Sequence, residues 1–253
     1  RSNCHDDGID DKTGLPVISL YGDNKKPKPE LLDSIDVIVF DLQDVGVRFY
    51  TYISTLHYVM DAAAEKGIKV LLLDRPNPNG HIVDGPVRTP GFESFIGMHP
   101  VPVLYGMTIG EYGQMINGEK WMKDSLKCDL TVIEILNYRH KDSYSLPVPP
   151  SPNLKTDNAI ILYPSLCFFE GTMVSVGRGT STPFELFGSP DFPRKEFSFT
   201  PVSVKGATDP KLKNTVCYGI DLTQNDRRFK RLRLDYLFEA RDILYEKYGE
   251  KWV

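Results

Sequence analysis

The sequence predicts an α/β fold built on a mostly parallel sheet, and three consecutive stretches carry that prediction. Ile35–Phe40 is a short continuous apolar run, the pattern of a strand buried on both faces of a parallel sheet. A helical stretch follows from about Phe49 to Lys66 and is closed by Gly67, where the left-handed residue after a helix belongs. Ile68–Leu73 is the next buried strand. Such a strand–helix–strand unit makes its strands parallel and its crossover right-handed. Both strands end in an aspartate, Asp41 and Asp74, and in open parallel sheets ligands sit beyond the carboxyl ends of the strands.

The remaining elements follow in order. Between Arg75 and Pro102, Pro and Gly are frequent enough to predict ordered loop. Thr108 and Glu111 have the spacing of a capping box opening a helix, and Asp129–Ile135 reads as another strand. The stiff segment Pro147–Pro152 predicts a domain boundary, dividing the chain into 1–148 and 149–253. A helical segment from about Thr156 runs to Pro164. Val174–Val176 is short and extended, and Thr182, Pro183 and Glu185 predict a further helix start. Two strand-like runs, Phe197–Lys205 and Val216–Leu222, precede a terminal amphipathic helix from about Leu234.

Composition excludes several classes of function. Over 253 residues the chain is 41% hydrophobic and 25% charged, which is globular rather than disordered, and no apolar run is long enough to span a bilayer. A net charge of -4 gives no footprint for nucleic acid or anionic lipid. The short basic run Arg227, Arg228, Lys230, Arg231, Arg233 reads as the solvated flank of the last helix. Cys4, Cys128, Cys167 and Cys217 form no metal-binding pattern and neither demand nor exclude one disulfide. No metal is expected, and no Gly-x-Ser-x-Gly elbow is present.

The polar residues at the strand ends are the candidate site. Asp41, Gln43, Asp44 and Arg48 follow the first strand: carboxylates accept sugar hydroxyls, and a guanidinium pairs with an anionic group. The plainer reading is a turn cap at Asp41 and an Asp44–Arg48 pair. Asp74 and Arg75 lie at the matching end of the next strand and lean functional, whereas Asn77 and Asn79 read as turn residues. His57 is expected to be packed in its helix, while His99, on a loop, is a candidate substrate contact. Glu111 and Glu185 are explained by capping boxes. Glu170 follows the apolar run Leu166–Phe169 with no capping role, and a carboxyl in apolar surroundings has the raised pKa a general acid needs. It is the first choice for a catalytic carboxyl. Arg178, in Gly177-Arg-Gly-Thr-Ser-Thr182, is placed to present a cation and backbone donors to a carboxylate at a helix N-terminus.

At these clusters the sequence resembles a known family. Phe40-Asp-Leu-Gln-Asp-Val-Gly-Val-Arg-Phe-Tyr-Thr-Tyr52, Leu73-Asp-Arg-Pro-Asn-Pro-Asn-Gly80, Pro149-Pro-Ser-Pro-Asn-Leu154 and Tyr163-Pro-Ser-Leu-Cys-Phe-Phe-Glu-Gly-Thr172 resemble motifs of the exo-β-N-acetylmuramidases, bacterial peptidoglycan hexosaminidases. So do Gly177–Thr180 and Pro183–Glu185. The resemblance implies a Rossmann-like domain, a smaller second α+β domain, and an active cleft between them. It implies an extracytoplasmic glycosidase that releases N-acetylmuramic acid from the non-reducing end of glycan fragments without an organic cofactor. It also implies a preceding strand–helix region ending in Pro-Glu-His-Gly, just after which this chain is expected to begin.

On that reading Glu170 supplies one carboxyl role, Asp41 and Asp44 orient the sugar, and Arg178 and Arg48 meet the lactyl carboxylate of muramic acid. Two rivals stand beside it: a non-catalytic module binding muramyl glycans, and a nucleotide-using α/β enzyme suggested by the Gly-Arg-Gly loop.

Overall fold

The computed structural model describes residues 7–193, 196–224 and 231–253. The chain divides into two compact units, one running to Tyr144 and the other comprising Ser145–Val253.

In the first unit a small antiparallel pair, β1 (Gly8–Ile9) and β2 (Pro16–Val17), precedes the central sheet. That sheet consists of β3 (Val37–Phe40), β4 (Lys69–Leu73) and β7 (Leu130–Ile133), in the order β3-β4-β7 and parallel throughout. Helix α1 (Tyr52–Lys66) connects β3 to β4 and ends on Gly67 at φ 69°, as its sequence predicts. A second antiparallel pair, β5 (Val83–Asp84) and β6 (Leu104–Tyr105), leads into α2 (Ile109–Gly118). Ile53, Leu56 and Met60 of α1 and Tyr112 and Ile116 of α2 form one core with Phe40, Val70 and Leu72 of the sheet. Gly113 lets α2 approach closely, since a Cβ there would lie 3.0 Å from Leu72 and 3.3 Å from Leu130. One expectation fails. β3 is buried on the helical face only, and Val39 on its other face is 57% exposed, because both helices cover the same side.

The second unit opens with α3 (Asp157–Leu166). Its N-cap Thr156 accepts a hydrogen bond from the Ala159 N–H at 3.0 Å, and Pro164 lies within its last turn. A 3-10 turn over Cys167–Gly171 follows directly. Strands β8 (Leu186–Ser189), β9 (Ser198–Phe199) and β10 (Cys217–Asp221) form an antiparallel sheet in the order β8-β10-β9, and α4 (Asp235–Tyr248) follows. No helix starts near Thr182. The chain turns there and enters β8, with buried Phe184 at φ 63°. Glu185 is not a cap: it is buried and accepts from Asn158 Nδ2 at 2.9 Å. Of the basic run, Arg227, Arg228 and Lys230 lie outside the described residues, as does Cys4, while Arg233 pairs with Asp235 in the first turn of α4. Cys128, Cys167 and Cys217 are free thiols. Among the described residues no helix is long and apolar enough to cross a membrane.

Candidate active site

The segment after β3 forms one edge of the first unit. Asp41 is exposed and takes the Arg75 guanidinium, with Nε and Nη2 both 2.6 Å from Oδ1. The ends of β3 and β4 are thus joined by an ion pair rather than by a turn cap. Gln43 Nε2 donates to the carbonyls of Asp44 at 2.7 Å and Pro76 at 2.8 Å, tying the two loops together. Arg48 does not pair with Asp44. Its Nη1 donates to the carbonyls of Pro86 at 2.8 Å and Val101 at 2.5 Å, so it braces the long loop. The bend between them requires Gly46, at φ 74°, where any Cβ would overlap the Asn77 side-chain amide. Asn77 in turn donates to the Met107 carbonyl and accepts from the Asn79 N–H, each at 2.8 Å, the structural role its sequence context predicts.

Asp44 is buried, and its two oxygens differ. Oδ2 accepts from the Gly46 N–H at 2.7 Å and from the Tyr105 hydroxyl; Oδ1 meets no hydrogen-bond partner among the described residues. Loss of solvent pushes the Asp44 carboxyl up to about 7, against the opposing pull of Tyr105 and Gly46. Tyr50, Tyr52, Tyr105 and Tyr112 all feel its charge, and burial raises each of their phenols.

Asp74 has a different role from the one its position suggests. Its oxygens accept from Gly110 N–H at 2.7 Å, Thr108 Oγ1 at 2.8 Å and Arg75 N–H at 3.0 Å, so the carboxylate anchors the N-terminus of α2. The capping box between Thr108 and Glu111 is present as expected. His99 lies on a loop, as its sequence predicts, but is buried there. Its Nδ1 lies 3.0 Å from the Tyr112 hydroxyl and its Nε2 2.9 Å from His57 Nδ1, with Trp121 stacked at 4.7 Å. Burial lowers His99 to about 3, keeping the ring neutral. His57 and His99 line a cavity of about 500 Å³ together with Tyr58, Arg88, Phe95 and Trp121.

In the second unit Glu170 and Arg178 meet. Arg178 Nε donates to Glu170 Oε1 at 2.7 Å and its Nη2 to Oε2 at 2.9 Å, a bidentate pair. Glu170 is exposed, so the apolar surroundings expected of it are not there; Leu166 and Phe169 turn inward and leave its carboxyl at the surface with the guanidinium. Arg178 lies on a turn rather than at a helix N-terminus, 4.9 Å above the Phe184 ring. Phe184 holds a left-handed backbone that costs an aromatic residue on the order of 1–2 kcal/mol, and such strain gathers at functional positions. Lys211 Nζ donates to the carbonyls of Phe169 at 2.9 Å, Glu170 at 3.1 Å and Thr172, clamping the turn. The Cys167 thiol, raised to about 12 by burial and next by Glu170, is no nucleophile.

Sequence reasoning did not single out Tyr105, Phe184 or Lys211. Tyr105 lies 61 residues from Asp44 and Lys211 about 40 from the turn it holds, so no local pattern marks either.

Comparison with known proteins places this α/β chain in a class of known structure. A DUF1343 family protein from Bacteroides fragilis superposes with a TM-score of 0.91 at 46% identity, covering 96% of this chain and 68% of that one. A second DUF1343 family protein from the same organism gives 0.82 at 30% identity, covering 97% and 67%. The particular family follows from the sequence. Residues 1–158 match the family described as exo-beta-N-acetylmuramidase NamZ, N-terminal, and residues 161–252 its C-terminal counterpart. The chain belongs to this family. It is 44% identical over 241 residues to the peptidoglycan beta-N-acetylmuramidase NamZ of Bacillus subtilis (strain 168), with 87% of this chain covered, and it spans 56% of that relative's length.

Proposed function

We propose that the protein is an exo-acting β-N-acetylmuramidase that releases N-acetylmuramic acid from the non-reducing end of peptidoglycan fragments outside the cytoplasm. The observation that carries this reading is the family match through both halves of the chain, joined to 44% identity with a peptidoglycan β-N-acetylmuramidase. The site chemistry supports it. Muramic acid differs from other amino sugars by a lactyl carboxylate, and recognising it takes a cation held in a fixed direction. Arg178 meets that need: Phe184 supports its face and Glu170 fixes its fork. The pair is partly exposed, so exchanging one Glu170 oxygen for a substrate carboxylate oxygen sacrifices little. Glu170 then serves to orient Arg178.

The test is hydrolysis by the full-length protein of a chromogenic β-N-acetylmuramide against the matching β-N-acetylglucosaminide, which lacks the lactyl group. The muramide is cleaved, with a preference of roughly 100-fold or more, because a site built around a polar partner rejects a substrate without it. Arg178→Gln raises KM for the muramide and narrows the preference. No release from the muramide by the parent protein overturns the reading.

A further inference from the structure

We propose that the cavity beside α1 is a binding site for a small organic carboxylate with an apolar ring, held by the Arg88 guanidinium. This site goes beyond the glycosidase reading and is built from the first unit alone.

An arginine presents two nitrogens along one side, Nε and Nη2, and that edge matches the two oxygens of a carboxylate. Other arginines of the chain spend it on an acid: Arg75 on Asp41, Arg178 on Glu170 and Arg233 on Asp235. Arg88 does not. Its Nη1 donates to the Thr89 carbonyl at 2.9 Å and to Glu93, while Nε is buried and has no hydrogen-bond partner among the described residues. A buried donor left unpaired is a standing penalty, relieved when an acceptor arrives. The cavity gives an acceptor its way in. Arg88 and Glu93 both line it, and the Arg88 side chain is 11% exposed where that of Glu93 is 56%. A ligand carboxylate that displaces Glu93 gives up a solvent-screened pair, and the guanidinium turns its empty edge to the newcomer.

The rest of the wall selects an anion with an apolar body. The buried Tyr112 hydroxyl meets His99 Nδ1 at 3.0 Å, and its hydrogen has no other acceptor among the described residues, so the hydroxyl donates. Burial keeps His99 neutral, and its ring proton is therefore on Nε2, which donates to His57 Nδ1 at 2.9 Å. Burial lowers His57 as well, and its neutral ring carries the proton on Nε2. His57, a lining residue, thus adds a donor and not an acceptor. The one lining carboxylate, Glu93, is already engaged by Arg88 and by the Gly91 N–H at 3.0 Å. Lys25, 4.9 Å from the centre of the Phe95 ring, adds a further positive charge. Two ring pairs supply the apolar face: Trp121 stacked on His99 at 4.7 Å, and Phe95 on Tyr58 at 6.1 Å. A volume of about 500 Å³ lies within the range of small-molecule sites and admits a single-ring acid.

The test is titration of the full-length protein with phenylacetate and with phenylacetamide, which keeps the ring and loses the charge. Calorimetry gives a Kd on the order of 1 mM or tighter for the acid, and binding weaker by about 10-fold or more for the amide. In nitrogen-15 NMR the Arg88 Nε–H signal moves as the acid is added and stays in place with the amide. Arg88→Gln weakens binding of the acid by about 10-fold or more. Should that variant fail to fold, Glu93→Gln decides: with the competing charge removed, it binds the acid more tightly than the parent. No binding of the acid, equal binding of acid and amide, an Arg88 Nε–H signal that the acid leaves in place, or weaker binding of the acid by Glu93→Gln overturns the proposal.

Discussion

Replacing Asp44 with Asn changes the stability of the first unit by an amount that depends on pH in one direction only. The folded carboxyl is raised from 3.8 to about 7, so between those values the folded state holds a proton that the unfolded state has released. Stability from this group is fully present below about pH 4 and is lost as pH rises through 7. A shift of that size corresponds to about 4 kcal/mol, an upper figure for a buried group able to relax. Asn mimics the protonated acid, accepting at one atom and donating at the other, and does not titrate. Near pH 4.5 parent and variant therefore unfold at urea concentrations matching to within about 1 kcal/mol. At pH 8.5 the variant is the more stable by up to about 4 kcal/mol. Other groups titrate in both proteins and cancel in the difference. The assay is urea unfolding followed by Trp121 fluorescence in a Trp252→Phe background, because Trp121 lies in the same unit as Asp44. A difference that stays flat between pH 4.5 and 8.5, or that favours the parent as pH rises, refutes the reasoning.

Gly46→Ala combines left-handed strain with displacement of the Asn77 amide, for a loss of about 3 kcal/mol or more. In the double variant with Asn77→Ala the two losses fall well short of adding, and urea unfolding of the four proteins checks this. His99 works in the opposite sense to Asp44. Its folded value of about 3 lies below the ordinary imidazole value of 6.5, so stability is lost as pH falls from 6.5 toward 3. His99→Gln flattens that acid limb in a thermal-melt series. Lys211→Met releases three carbonyls around Glu170 and lowers the stability of the second unit by about 2–3 kcal/mol, read by urea unfolding followed through Trp252.

What the sequence revealed and what it concealed divide along the distance between interacting residues. β3, α1 and β4 were legible because a continuous apolar run and a helix closed by Gly67 are local patterns. The Thr108–Glu111 capping box was legible for the same reason. Thr182 and Glu185 have the same spacing, yet tertiary contacts override it: Phe184 turns left-handed, and Glu185 meets Asn158, 27 residues away. At the site, the edge formed by Asp41 and Arg75 could be anticipated, since both end neighbouring parallel strands. The character of each carboxyl could not. Glu170 looked apolar from its neighbours in the chain and is claimed by Arg178. Asp74 looked like a ligand contact and anchors α2. Asp44 looked like a sugar-orienting acid or a partner for Arg48, and it is buried among tyrosines supplied by three separate segments.

The assignment of an exo-muramidase is tested most directly by mass spectrometry of a defined glycan fragment carrying N-acetylmuramic acid at its non-reducing end, after incubation with the full-length protein. The account predicts free N-acetylmuramic acid and a remainder shorter by one sugar. An untouched fragment, or cleavage within the chain that leaves the terminal muramic acid attached, would contradict it.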